Sequence, residues 1–262
     1  MEEIKLLNNE VFKKEDILKK MMDDEFYYGY LGKNALSSSS CKSLMEGPES
    51  YVEMLNKDDN GKEGQALRDG RLIHLLSLEP HRIDELTIID STKGSNAYKL
   101  AVQEQIPQTV YTRSELNRCK SIADSVLEND EFREIVRFAH FEKPEIWYYN
   151  NLPFRGKADI CLPGIVIDLK TTSDISRFDE AALHWNYDLQ AALYLELFNA
   201  FEFKYVVVDK RTQEVKFFEF TNDFIQSGYE KLNIATENYK KYLENKEFYD
   251  LGLWVKKNNV NY

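Results

Sequence analysis

The chain has 262 residues, 43% of them hydrophobic and 13% aromatic, which is enough to bury one sizeable core. Charged residues make up 30%, no apolar run approaches the roughly 20 residues a membrane helix needs, and the amino terminus lacks a signal-peptide pattern; a cytoplasmic protein is expected. A net charge of −11 excludes a surface that binds nucleic acid everywhere, because duplex affinity comes largely from lysine and arginine displacing counterions at phosphates.

Cys41, Cys119 and Cys161 are far apart and form no CxxC pair, so they read as reduced and structural. No G-x-x-x-x-G-K-[ST] loop occurs, and Lys170-Thr171-Thr172 lacks the glycines that let backbone amides cradle a phosphate. An ATP-driven motor is excluded, and no nucleotide cofactor is expected.

In chain order, residues 10–22 carry Val11, Phe12, Ile17, Leu18, Met21 and Met22 at roughly helical spacing, and the aromatic run 26–30 follows as a loop. Serines 37–40, flanked by Leu36, Cys41, Leu44 and Met45, predict a serine-capped helix that Pro48 ends. Residues 64–78 predict a buried helix containing His74 and closed by Glu79-Pro80. Residues 95–136 read as mainly helical, with an extended piece near 108–111.

The texture changes at Pro144. Residues 146–149, 154–161 and 165–167 read as three strands separated by Asn150-Asn151 and Pro163-Gly164, a β-meander. A helical segment at 178–200, strands at 204–208 and 215–220, and a helix at 222–243 follow. The expected fold is α/β: a mixed β-sheet with an antiparallel meander, flanked by helices. It is taken as a single domain over 1–262, with a mostly helical amino-terminal part at 1–140 and the core sheet and helices at 141–245. Local positive charge is sought at Lys204, Lys210, Arg211 and Lys216, and near the end at Lys240, Lys241, Lys256 and Lys257; the competing reading is that these are solvated faces.

Asp159 lies on the second meander strand and Asp168 on the third, two positions before Lys170, so Asp168 and Lys170 point to one face. If the strands pair across Pro163-Gly164, Asp159 lies beside Asp168. Two such carboxylates form a hard oxygen site for Mg²⁺, with Mn²⁺ as a substitute and the Leu169 carbonyl as a further donor. A divalent cation keeps both ionised where repulsion would otherwise leave one protonated. A lone Asp-x-Lys is common; the surrounding package makes this one specific.

Gly156-Lys157-Ala158-Asp159, Ile167-Asp168-Leu169-Lys170-Thr171-Thr172 and the run from Tyr187 to Tyr194 resemble the core motifs of the PD-(D/E)xK nuclease superfamily, with Ala158 where the superfamily's name has proline. Within it they are similar to the branch of exonuclease VIII, phage lambda-type exonuclease and the RecB nuclease domain. Gly70-Arg71-Leu72-Ile73-His74 and the serine-rich stretch before Pro48 resemble the exonuclease VIII group, so the likeness spans roughly residues 30–245.

The resemblance implies a restriction-endonuclease-like core in which Asp159 and Asp168 bind metal and Lys170 serves the attacking water. His74 adds a ligand or outer contact, and Glu145 helps coordinate the metal or its waters. Gln190 and Tyr194, four apart on one helix face, touch DNA or hold Lys170 in register. It further implies a phage-type, Mg²⁺-dependent exodeoxyribonuclease in a bacterial host, cutting linear duplex DNA 5′ to 3′ for recombination. A ring-shaped homo-oligomer and a single-strand annealing partner come with it. An endonuclease or repair nuclease on the same fold is the alternative, and a catalytically inactive DNA-binding protein the more distant one.

Overall fold

The computed structural model describes residues 2–56 and 64–244. It opens with a short hairpin, β1 (Glu3–Lys5) and β2 (Val11–Lys13), followed by α1 (Lys14–Lys20). The helix expected from residue 10 thus starts four residues later, because Val11–Lys13 pair with β1 instead. The aromatic run, read as a loop, forms a single π-helical stretch, Glu25–Tyr30. Asp23 starts it by accepting the Glu25 and Phe26 amides, and Phe26 stacks on Tyr30 one wide turn later. Ile4, Ile17, Met21, Tyr27 and Leu31 pack here against Ile146.

After α2 (Leu31–Asn34) comes α3 (Ser38–Glu46), capped as the serines predict: Ser37 accepts from the Ser40 amide and Ser40 returns the bond. Such a box is worth about 1 kcal/mol. Gly47, at φ 145°, ends the helix, and Pro48 starts α4 (Pro48–Asn56), a reversal of its expected role that suits a residue without an N–H. Then follow α5 (Gln65–Leu78), β3 (Thr87–Ile89), α6 (Asn96–Glu104), β4 (Val110–Thr112), α7 (Arg113–Glu128) and α8 (Asp130–Val136). β3 and β4 pair in parallel, so the extended piece expected near 108–111 is a short strand.

The main sheet comprises β5 (His140–Tyr149), β6 (Leu152–Leu162), β7 (Ile165–Thr172), β8 (Glu202–Asp209) and β9 (Val215–Glu219), in that order. β5, β6 and β7 form the antiparallel meander; β7 and β8 are parallel, joined by a crossover through α9 (Phe178–His184) and α10 (Tyr187–Leu197). The segment read as one helix is broken at Asn186, which sits in the left-handed region at φ 54°. α11 (Asn222–Tyr239) closes the fold.

Period-two alternation sorts the central strands onto two helical layers. Ile167 and Leu169 with Val206 and Val208 pack beneath α5 and α7, against Leu72, Ile73, Leu116 and Ile122. Val166 with Phe203, Tyr205 and Val207 packs on the other face against Leu189, Leu193, Leu232 and Ala235 of α10 and α11. β7 and β8 are covered on both sides, which explains why they read as continuous apolar runs. α10 meets α11 closely at Gly228, where a Cβ would lie 2.1 Å from the Asp188 carbonyl oxygen.

Lys204 is held by Glu202 and Glu219, and Lys216 by Glu214, so these strand lysines are spent on neighbouring acids. Lys256 and Lys257 lie outside the described residues. The three cysteines are free thiols and buried.

Candidate active site

The β6–β7 ladder runs from Leu162↔Ile165 to Ile160↔Ile167 and stops. The next positions across the two strands are Asp159 and Asp168. Where the ladder opens, the Leu169 amide donates to Asp159 Oδ2 at 2.8 Å, a side chain replacing the lost main-chain acceptor. Asp159 is thereby pinned against β7, beside Asp168, as the meander predicts.

Each carboxylate has a cationic or donor neighbour. Asp168 Oδ2 lies 2.6 Å from Lys170 Nζ, and Asp168 Oδ1 accepts a 2.6 Å hydrogen bond from Gln190 Nε2 on α10. His74, on α5, places Nε2 3.1 Å from Asp159 Oδ2 and 3.3 Å from Glu142 Oε1. Lys170 Nζ also sits 4.8 Å from the Tyr187 ring centroid, a cation–π contact that favours its charged form.

The electrostatics follow from this crowding in a poorly solvated place. Burial, reinforced by the Asp159 charge, raises Asp168 to about 6 despite Lys170. Burial likewise raises Glu142 to about 8. Burial works against the His74 cation, yet the Asp159 charge and hydrogen bond lift it to about 9. For Asp159 burial is outweighed by His74, and its carboxyl is held below the usual range. Lys170 remains a cation, raised by Asp168 against the effect of burial.

Gln190 and Tyr194 lie on one face of α10 and both line the cleft, the geometry their spacing predicts. Tyr194 donates to the Lys157 carbonyl at 3.1 Å rather than to a catalytic side chain. Gly156 explains the glycine of Gly-x-x-Asp: a Cβ there would lie 2.9 Å from Leu197 and 3.1 Å from Tyr194. The glycine lets α10 come down on β6 and bring Gln190 within reach of Asp168.

Glu145 is not gathered into this group. It pairs with Lys14 at 3.1 Å and accepts the Ile146 amide. The acid from β5 that meets the site is Glu142, three residues earlier, which sequence reading passed over. In the β5–β6 register Phe141 faces Ile160 and Lys143 faces Ala158, so Glu142 stands opposite Asp159. Its backbone is left-handed, at φ 49°, a strained conformation for glutamate. Glu142, Asp159 and Asp168 therefore form one acidic row across three strands.

A cleft of about 740 Å³ opens over that row. Its far wall is amino-terminal: Tyr27, Gly32, Lys33 and Ser37 to Ser40 line it, and Arg155 and Lys157 approach from β6. Lys33, Arg155 and Lys157, rather than the strand lysines Lys204 and Lys216, bring positive charge to the cleft walls.

The residues fit a hard divalent cation. Donor atoms of His74, Glu79 and Glu142 lie within 4.8 Å of one another, and Asp159 adjoins His74. Beyond their ion-pair contacts with His74 and Lys170, buried Glu142 Oε1 and Asp168 Oδ2 have no well-aligned hydrogen-bond donor among the described residues. Buried carboxylate oxygens left in that state suit coordination to Mg²⁺ or Mn²⁺.

Among solved structures, the chain is similar to a Eubacterium rectale protein named provisionally as an exonuclease. The two share 17% identity at a TM-score of 0.61, covering 82% of this chain and 87% of that one, a likeness of fold. A phage-related exonuclease from Haemophilus somnus shares 15% identity over 81% of this chain and 96% of its own, but its TM-score of 0.36 defines no common fold. No curated protein matches the sequence. Residues 37–250 match a family described as a PDDEXK-like domain of unknown function, DUF3799, and they contain every member of the acidic row, Lys170, Gln190 and Tyr194. The chain belongs to that family, within the PD-(D/E)xK superfamily.

Proposed function

We propose that this protein is a divalent-metal-dependent deoxyribonuclease acting on linear duplex DNA. The observation that carries the reading is the acidic row itself. Glu142, Asp159 and Asp168 meet His74 and Lys170 at the floor of a cleft with cations on its walls.

His74, Glu142, Asp159 and Asp168 would hold the cation, with the Leu169 carbonyl as a further oxygen and Glu79 at the margin. A bound Mg²⁺ supplies a more acidic water and a counter-charge for a phosphodiester. The chain's own groups do the positioning. Gln190 fixes one Asp168 oxygen, and the other meets Lys170. Lys170, held cationic, orients a water or neutralises charge building on the phosphate; it is not a free base. Tyr194 and Gly156 set the height of α10 above β6.

The reading extends to exonucleolytic, 5′ to 3′ digestion. That extension, the ring-shaped assembly and the annealing partner rest on the family resemblance. Incubation with Mg²⁺ of linear and of covalently closed circular duplex separates the alternatives. Nucleotides released from the linear DNA alone, and none in chelator, support an exonuclease; nicking of the circle makes it an endonuclease.

A further inference from the structure

A second cavity, of about 410 Å³, opens at the far end of β7, floored by Thr172, Ser173 and Asp174 and walled by His184 and Trp185 where α9 ends. The Trp185 indole is 57% exposed and stands edge-on to the His184 ring, their centroids 4.6 Å apart. The left-handed Asn186 turns the chain between α9 and α10, so that Trp185 faces solvent while Tyr187, two positions on, lies 4.8 Å from Lys170 Nζ. Asp168, Lys170 and Thr172 alternate onto one face of β7. The cavity thus follows the acidic row along the same strand.

Its rim carries cations that no acid answers. The turn after β8 is bound to the cavity floor: the Lys210 amide donates to the Thr172 carbonyl at 2.8 Å, and Asp209 accepts the Ile175 amide at 3.0 Å and the Arg211 amide at 2.7 Å. Those main-chain donors occupy Asp209. Glu180 is engaged by Arg177 at 2.7 Å, and Asp174 accepts the Ser176 hydroxyl at 2.6 Å. That hydrogen bond, helped by the nearby Arg211 charge, holds the Asp174 carboxyl below its ordinary range. Among the described residues neither Lys210 nor Arg211 forms an ion pair, in contrast to Lys204 and Lys216.

An exposed indole beside such cations offers a π face for a base and positive charge for a backbone, the two parts that bind single-stranded nucleic acid. Inside a duplex the bases stack on one another and present only their edges. We infer that this cavity holds an unpaired stretch of DNA, with a base stacked on Trp185 and phosphates over Lys210 and Arg211. DNA as the ligand rests on the nuclease reading; the choice of an unpaired strand rests on the indole. A strand held there reaches or leaves the catalytic centre unpaired.

End-labelled oligo(dT) and a blunt duplex of the same length are titrated by fluorescence anisotropy in chelator, where no cleavage occurs. Trp185→Ala weakens oligo(dT) binding about tenfold, the effect of losing one base–aromatic stack, and leaves duplex affinity and the melting temperature unchanged. Trp185→Phe keeps most of the affinity, and Arg211→Glu weakens binding and flattens its salt dependence. Oligo(dT) quenches the intrinsic tryptophan fluorescence of the wild type and that of Trp185→Phe much less. Wild-type oligo(dT) affinity in Trp185→Ala, or equal quenching in Trp185→Phe, overturns the site. A protein that binds oligo(dT) through Trp185 but never cuts linear duplex in Mg²⁺ sinks the nuclease reading and leaves the site standing; one that cuts, with oligo(dT) affinity indifferent to Trp185, does the reverse.

Discussion

Gln190 Nε2 and Asp168 Oδ1 are joined by a 2.6 Å hydrogen bond between α10 and β7, and both groups are buried. The bond fixes the plane of a carboxylate that also meets Lys170. Gln190→Leu removes the donor and keeps the bulk. We expect activity to fall about 10- to 100-fold, the usual cost of losing a group that orients a metal ligand. Thermal stability should change little by comparison. Steady-state kinetics against Mg²⁺ concentration check this; an unchanged rate detaches Gln190 from the site.

Metal affinity should rise with pH. His74 at about 9, Glu142 at about 8 and Asp168 at about 6 all hold protons above their ordinary ranges. Protons held there compete with a cation for the same atoms, and metal binding must release them. Affinity is therefore low at pH 6, falls further below it as Asp168 takes up its proton, and climbs through pH 8 to 9. Calorimetric Mn²⁺ titrations in buffers of different ionisation heat should show net proton release. Affinity independent of pH contradicts this arrangement.

Glu142 gives a stability trade. Its left-handed backbone is natural for glycine and strained for glutamate. Glu142→Gly should relieve strain of about 1 kcal/mol, partly offset by a more flexible unfolded chain, while metal binding weakens. Chemical denaturation paired with metal titration tests both halves. A less stable variant with unaltered metal affinity would show that the strain serves packing instead.

Glu115 links stability to acid. Burial disfavours its charge, but Lys93 at 2.7 Å, the Thr112 amide and Gln65 hold its carboxyl at about 2. A depressed carboxyl contributes stability that is fully present above its unfolded value, near 4.5, and is lost as pH falls toward 2. Glu115→Gln should cost about 1–2 kcal/mol at pH 7, in part as a broken cap of α7. Urea unfolding at pH 7 and pH 3 should show the gap between variant and wild type narrowing in acid.

The sequence made the meander, Asp159 beside Asp168, and the shared face of Gln190 and Tyr194 legible, because each follows from short-range periodicity. His74 was reachable only through the family resemblance, since nothing local ties α5 to β6. Glu142 was missed for a physical reason. Pro144 lacks an N–H and suggested a strand beginning after it, whereas β5 is an edge strand that tolerates proline and starts at His140. That Arg155 and the serines of α3 line one cleft was also invisible, because their proximity depends on main-chain bonds between Leu36 and β6, which span more than a hundred positions.

The most direct test is release of nucleotides from end-labelled linear duplex in Mg²⁺ by wild type and by Asp168→Ala. The account predicts chelator-sensitive release by wild type and a loss of about a thousandfold or more in the variant, a carboxylate of the acidic row having been removed. Equal release by the two proteins, or none by either, contradicts it.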